Sequence, residues 1–553
     1  MNTKVGISKP LYDVRKVNNI KELVYGAIKL YKNNIAFKYR ANDNKDFIDI
    51  TYAQLEHDLN CLGTALFNLG LHNKRISIIG NNSYYWVLGY LATVCGTGII
   101  VPIDKALPKV EIENIIIEGG SSAIFFEEKY ANTMKEIQKE VPSLQHLFCF
   151  SEIEDGSIKS LNSLLKLGAS LIEKNDNSFI NSTINNDDLS IMLFTSGTTS
   201  KPKAVMLSHR NICSDITQVA SVVKYYDNDV FLSFLPMHHV FESVVGFLMS
   251  IYNGACSSIC RGLKHISQDL LDYKPTIMCN VPLVLENIYK KIRKKIEVAK
   301  KALSKQQILD MLGGKLRFIL FGAAPLSLEI ILGYKDLGIN THHAYGSTET
   351  SAALTIETNK NRKSGGVGYA LPQAVVEVYE PDDTGLGEIR CKGPNITSGY
   401  YDNKDATDEV LKDGWFYTGD LGYVDDDGYL FIAGRKKNVI VLKNGKNIFP
   451  EEIEVLLNNS PLVSESIAYA AEKSNGDLEL RAKIVYNKEA IVAEYGEVSE
   501  DEIENIMNTY RKDVNKNLPI YKNIRKIYVT DIPLVKTTSG KIKRAEEHKL
   551  ILH

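Results

Sequence analysis

Short apolar runs recur along the first two-thirds of this 553-residue chain, and helical patterns separate most of them. They stand at Arg75–Ile79, Ala123–Phe126, Met192–Thr195, Val230–Leu235, Thr276–Cys279 and Leu316–Phe321. A strand that is apolar on both faces has to be covered on both, so the pattern calls for parallel sheets flanked by helices. Thr51-Tyr52-Ala53-Gln54 starts one such helix with a capping-box pattern; Leu55, Leu59, Leu62, Leu66 and Leu69 form its stripe and Gly70 its stop. Tyr84–Ile103 carries no charged residue and is long enough to cross a bilayer. Gly96, Gly98 and Pro102 break its second half, so it reads as a buried helix followed by a short strand, Ile99–Ile103.

From about Gly365 the texture changes: Gly and Pro rise and strands shorten. Asp425–Gly428 is a hairpin turn between Gly422–Val424 and Tyr429–Ala433. Further on, strands at Ser466–Ala471 and Leu480–Val485 alternate with a helix opened by Ser499-Glu500-Asp501-Glu502, another capping box. The expected fold is α/β: a large N-terminal domain (1–435) of helix-covered, mostly parallel sheets plus a β-rich subdomain, a hinge (436–438), and a small mobile α+β domain (439–553).

Lys+Arg 65 against Asp+Glu 67 gives net −2, which argues against a general nucleic-acid binder. Cys61, Cys95, Cys149, Cys213, Cys256, Cys260, Cys279 and Cys391 are scattered through mostly apolar contexts and read as buried reduced thiols of a cytosolic protein. Cys256, Cys260 and His265 lack the second pair that a zinc site needs. The first residues, MNTKVGISKPLYDVRKVNN, show no apolar core of a signal peptide, so the expected location is cytoplasmic.

The chemistry is concentrated in a few polar stretches. Thr195, Ser196, Thr198, Thr199 and Ser200 surround Gly197 at the end of an apolar run, with Lys201 and Lys203 close behind. Hydroxyl and N–H donors beside positive charge suit a polyphosphate, although a solvated turn has the same composition. Phe321–Ser327, with Gly322, Ala323 and Ala324, is a small-residue turn against which a flat base fits. His343–Thr350 offers an aromatic ring for stacking and, in Glu349, a carboxylate for Mg²⁺. Asp420 ends Tyr417-Thr418-Gly419-Asp420 and is suited to ribose hydroxyls, as is Arg435. Pro533–Arg544 puts Lys541 in a glycine-flanked basic loop.

The set, order and spacing of these stretches resemble the adenylate-forming superfamily, and most closely its long-chain fatty acid–CoA ligases. The superfamily's T-S-G-T-T-G-x-P-K loop stands here as TSGTTSKPK, with Ser200 for the last glycine and Ala204 for the glycine that usually follows the lysine. Its A-x-G-x-T-E element stands as Ala344-Tyr345-Gly346-Ser347-Thr348-Glu349, and its final lysine motif as Thr537–Lys541. The resemblance implies ATP and Mg²⁺ in the first half-reaction and CoA as co-substrate in the second. In the first, a carboxylate and a polyphosphate repel each other, which Lys541, Mg²⁺ on Glu349 and the Thr195–Lys203 loop would offset. By the same resemblance Thr198 is catalytic, and the C-terminal domain turns about Lys437 between half-reactions, opening a thiol channel past Gly445.

Phe234–Ala255 matches the segment that lines the acyl site in this superfamily, with His239 at the pocket mouth and Val240, Phe241, Val244, Val245 and Phe247 as apolar walls. Gly246, Gly322 and Ala323 suggest room for a tunnel, hence a medium- to long-chain fatty acid. A carrier-protein thiol in place of CoA, or an aryl acid in place of a fatty acid, is the alternative. Asn287–Lys305 reads as one basic amphipathic helix, a candidate for peripheral contact with anionic lipid; a solvated face over a buried stripe is the plainer reading.

Overall fold

The computed structural model describes residues 3–40, 46–195, 202–298, 304–322, 326–358, 362–442, 446–472, 478–537 and 542–552. Among them two large sheets carry the N-terminal body. The smaller, of seven strands, runs Lys159–Ser160, His146–Cys149, Ala123–Phe126, Lys74–Ile79, Gly98–Ile103, Leu189–Thr195, Lys203–Ser208 from edge to edge. Every joint is parallel except the last. The two strands that flank the hydroxyl-rich stretch therefore pair antiparallel, with Thr195 opposite Lys203.

The larger sheet has fourteen strands: two are antiparallel additions, Phe47–Thr51 on Ile35–Arg40 and Leu411–Lys412 on Trp415–Val424, and the other twelve form two unlike halves. Ile35–Arg40, Cys256–Ile259, Val230–Ser233, Ile277–Asn280, Phe318–Phe321 and Asn340–Tyr345 lie parallel. At Tyr345 the direction changes. Thr355–Ile356, Gly366–Ala370, Leu430–Arg435, Trp415–Val424, Gly387–Lys392 and Val375–Tyr379 follow, all antiparallel. Strand direction changes where ligands gather in open α/β sheets, beyond the carboxyl ends of the parallel strands.

The helix Tyr84–Ala92 is buried on nearly every face and ends in a π turn, Thr93–Thr97. Trp86 stacks on Tyr90 with ring centroids 5.5 Å apart, and Phe247 meets Tyr90 edge-on at 5.2 Å. No helix among the described residues is long and apolar enough to cross a membrane. The stripe read from Asn287 to Lys305 is divided. The helix is Pro282–Val298; Ser304 has extended backbone (ψ 152°) and caps a second helix, Lys305–Asp310, with Gln307 completing the box. Ile292 is buried and Ile288 and Ile296 pack on the core, while Lys290, Lys291, Arg293, Lys294 and Lys295 are exposed, so the stripe is core and the charges are its solvated face.

The C-terminal residues form a sheet of their own. Val463–Glu472 pairs antiparallel with Leu478–Tyr486, which pairs parallel with Lys526–Thr530. Ile448, Ile453, Leu457, Ala482, Ile484, Met507 and Ile524 make a separate core beneath it. The helix Glu500–Lys516 opens on the complete Ser499/Glu502 capping box. At the other end of the chain, Val5, Gly6 and Ser8 donate to Val376 O, Gly428 O and Ala370 O at 2.8–2.9 Å.

Candidate active site

Asp420 and Arg435 are register partners on adjacent antiparallel strands, which puts their side chains together. Arg435 Nε lies 2.7 Å from Asp420 Oδ1. Gly419 precedes Asp420 at φ +71°, a left-handed conformation that glycine adopts without strain. Asp420 Oδ2 accepts the Tyr345 hydroxyl at 2.7 Å, tying the ring to the carboxylate. Burial pulls the Arg435 guanidinium down; Asp420, followed by Tyr345, Glu349 and Glu451, outweighs it and holds the charge in place.

Glu349 lies in a short 3-10 turn, Thr348–Thr350, just past Ala344–Ser347. Its Oε1 accepts the Tyr400 hydroxyl at 2.9 Å, and its backbone carbonyl accepts Thr397 N–H at 2.8 Å. The same segment also braces the hydroxyl hairpin. Met206 N–H donates to Gly399 O at 3.0 Å and Tyr401 N–H to Ala204 O at 2.8 Å, while Lys203 lies over the Tyr400 ring at 5.1 Å. Gly346 is required for a different reason: a Cβ there would meet Ala352 O at 2.3 Å. Residues 395–401 thus couple Glu349 to the strand that carries Lys203. Sequence reading missed this strut, because Asn395–Tyr400 looks like any polar loop until its pairing is seen. It also missed Glu388, which accepts Gly419 N–H at 3.2 Å and Lys436 Nζ at 2.8 Å.

On the other side of Gly322 lies the segment expected to bind the acyl group. Phe241–Leu248 is a π-helix, a geometry common at functional sites. Val244, Val245 and Phe247 are fully buried in the core, so they are packing residues and not free pocket walls. Phe247 in particular is spent on Trp86 and Tyr90. The glycines leave no room either: a Cβ on Gly246 would meet Glu242 Oε1 at 2.8 Å, and one on Gly322 would meet Ala344 O at 2.8 Å. His239 packs its ring on His238, centroids 4.4 Å apart, and its Nε2 is buried without a partner among the described residues. Burial, then the neighbouring His238, lowers its pKa to about 3, so it is neutral.

Glu242, one turn on, went unremarked in the sequence. It is 1% exposed; Oε1 accepts the Ser233 hydroxyl, and Oε2 has no partner. Burial pushes its pKa up to about 8, with Ser233 opposing. A neutral acid and a neutral imidazole therefore stand at the carboxyl end of the Val230–Ser233 strand. Ser196, Gly197, Thr198, Thr199, Ala323, Ala324, Gly445 and Lys541 lie outside the described residues.

Residues 27–401 match the family described as AMP-binding enzyme. The chain belongs to that family. Long-chain-fatty-acid–CoA ligase 6 of Mus musculus is 30% identical over 464 residues, which are 74% of this chain and 64% of the mouse protein. This chain thus spans just under two-thirds of that relative. Long-chain-fatty-acid–CoA ligase FadD15 of Mycobacterium bovis is 26% identical over 464 residues, covering 77% of this chain and 76% of the relative. The crystal structure of the anthranilate CoA ligase AuaEII with anthranoyl-AMP superimposes with a TM-score of 0.80 over 98% of both chains at 19% identity, a likeness of fold.

In this AMP-binding enzyme the helix Pro450–Asn458 meets the body at the end of the Arg435 strand. Lys436–Asn438 is a single 3-10 turn, and Lys437 in it is exposed. Asn438 Nδ2 donates to Glu451 Oε1 at 2.7 Å, and a Cβ on Gly434 would meet Glu451 Oε2 at 2.9 Å. The flanks of the last lysine motif are pinned: Val535 N–H donates to Glu547 Oε1 at 2.6 Å, and Lys483 Nζ pairs with Glu547 Oε2 at 2.9 Å.

Proposed function

We propose that this AMP-binding enzyme uses ATP to convert a medium- to long-chain fatty acid to its acyl-adenylate and then passes the acyl group to CoA. The observation that carries the reading is the assembly of Tyr345, Glu349, Tyr400, Asp420 and Arg435 where the large sheet changes direction, braced to the hairpin of Lys203. In this reading Asp420 and Arg435 hold the ribose and Tyr345 and the Gly322 turn face the base. Thr195–Lys203 cradles the phosphates that depart as pyrophosphate. A carboxylate does not accept a nucleophile readily; as a mixed anhydride with AMP it carries a good leaving group. Lys541, with Thr198, offsets the repulsion of carboxylate and phosphate during that step.

Mg²⁺ fits the donor set. It binds through one or two carboxylates plus substrate phosphates, and Glu349 offers one carboxylate, held by Tyr400. When bound, it supplies positive charge at the phosphates. Lys437 serves as the pivot that withdraws Lys541 and opens the way past Gly445 to the thiol.

Pyrophosphate release should be measured over saturated acids from short to long and over benzoate-like acids, each with free CoA or a carrier protein as acceptor. Turnover that rises with chain length and requires CoA is expected. A maximum on acetate or benzoate overturns the fatty-acid assignment, and turnover only with carrier protein overturns CoA as the acceptor. Lys541→Ala should abolish pyrophosphate release yet leave thioester formation from preformed acyl-adenylate; equal losses in both would remove Lys541 from the first step.

A further inference from the structure

Two residues past Glu349 the backbone enters the left-handed region twice in succession, with φ +60° at Ser351 and +117° at Ala352. Neither is glycine, and such a conformation persists only where the surroundings enforce it. Ala352 O is the atom against which Gly346 packs, so the strained turn forms one wall of the Ala344–Glu349 stretch.

The surroundings that enforce it are two fully buried side chains. Asp215, on the helix His209–Val222, accepts Ala353 N–H at 3.1 Å through Oδ1; its Oδ2 has no partner among the described residues. Asn395 grips the turn from the strut. Its Nδ2 donates to Thr350 O at 3.2 Å and to Ala353 O at 2.8 Å, and its backbone carbonyl accepts the Ser351 hydroxyl at 2.8 Å. Its Oδ1, like Asp215 Oδ2, is buried without a donor. Burial raises the Asp215 carboxyl far above the ordinary carboxylate range, and the hydrogen bond from Ala353 opposes that rise.

We propose that Asp215 is a positioning residue for adenylation: together with Asn395 it clamps the turn Ser351–Ala353, and so fixes Glu349 at the nucleotide. A proton on the carboxyl supplies a donor where two buried acceptors, Asp215 Oδ2 and Asn395 Oδ1, have none among the described residues. From Asn395 the path to Glu349 is short. Thr397, two residues on, holds the Glu349 carbonyl, and Tyr400 holds its carboxylate. Helix, turn and strut form one hydrogen-bonded unit, and Asp215 is its attachment to the body. The proposal rests on the role given to Glu349 above.

The test compares Asp215→Asn with Asp215→Ala in full-length protein. An asparagine is uncharged, of the same shape, and still accepts from Ala353. Asp215→Asn should therefore keep kcat for pyrophosphate exchange within about threefold of wild type. Asp215→Ala should lose about 10- to 100-fold in kcat and need about tenfold more Mg²⁺, the scale on which a ligand's supporting partner acts, with the KM for the acid unchanged. Hydrogen exchange at Ala353 should quicken in Asp215→Ala and not in Asp215→Asn. Asn395→Ser, which removes both donors to the turn and leaves Asp215 in place, should repeat the alanine pattern even if Asp215→Ala fails to fold. An asparagine variant as slow as the alanine variant, an alanine variant with normal kcat, or a loss confined to the KM for the acid each overturns the proposal. If wild-type protein exchanges pyrophosphate with no acid, the role of Glu349 falls, and exchange at Ala353 alone decides whether the clamp exists.

Discussion

On the nucleotide side of the site, Tyr345, Glu349, Tyr400, Asp420 and Arg435 satisfy one another through short hydrogen bonds and one ion pair. On the acyl side, His239 Nε2, just before a π-helix, and Glu242 Oε2, on that helix, are buried with no partner among the described residues, and the helix is packed tightly from behind. The first is a prearranged set of charges, held by cross-strand register and a bracing loop. The second is a tightly packed shape, with two neutral polar atoms awaiting use. Charge has to be in place before a polyphosphate arrives, whereas an apolar chain asks only for volume.

The largest expected effect tests the packed side. Phe247→Ala should cost about 3–5 kcal/mol of stability, because its ring fills the core against Trp86 and Tyr90. Urea unfolding measures it. A loss under about 1 kcal/mol with an altered chain-length preference would return Phe247 to the pocket wall. Next comes the charged side: Glu349→Gln should lower pyrophosphate exchange by about 10²–10³ with little change in stability. A variant that unfolds early but turns over normally would make Glu349 a structural residue.

The third effect separates the two sides by pH. Glu242 titrates near 8 in the folded protein against an ordinary 4.5. Between those values the unfolded chain has lost this proton and the folded chain has kept it. Its contribution is fully present below the lower value, falls by up to about 1.4 kcal/mol per pH unit through the window, and levels off above the upper one. Glu242→Gln should flatten that decline in urea unfolding curves; unchanged slopes would mean that the folded acid is ionised. The smallest effect is Tyr400→Phe, which leaves the ring under Lys203 and removes only the donor to Glu349. The Mg²⁺ requirement should rise about tenfold at unchanged stability. No change would show that Glu349 does not depend on the strut.

These regions also differ in how far the sequence disclosed them. Ala123–Phe126 is a strand over the same residues as its apolar run, since a strand buried on both faces has no polar position to blur its ends. The Val230 run stops short, at Ser233, because Phe234 and Leu235 leave the sheet while remaining buried; burial alone does not distinguish the two. Asp420, Arg435 and Glu349 were identifiable because their chemistry is unusual beside glycines and hydroxyls. Tyr400, Asn395 and Asp215 were not, because a tyrosine in a loop and an acid in a helix acquire meaning only from partners far away in the chain. The acyl segment misled in the opposite sense. Val244, Val245 and Phe247 have the composition of a pocket wall and the surroundings of a core, and periodicity cannot tell on which side of a helix the empty space lies.

The strand pairings of Val5, Gly6 and Ser8 bear on how the protein is made. Their acceptors, Ala370, Val376 and Gly428, are synthesised several hundred residues later, which at roughly 5–20 residues per second is some tens of seconds. During that interval the arm leaves the ribosome with nothing to pair with, and it becomes the last stitch across the antiparallel half once Gly428 emerges. Nascent chains arrested at increasing lengths should show the arm open to protease until that point and closed after it. Protection at shorter lengths would mean that it finds a temporary partner first.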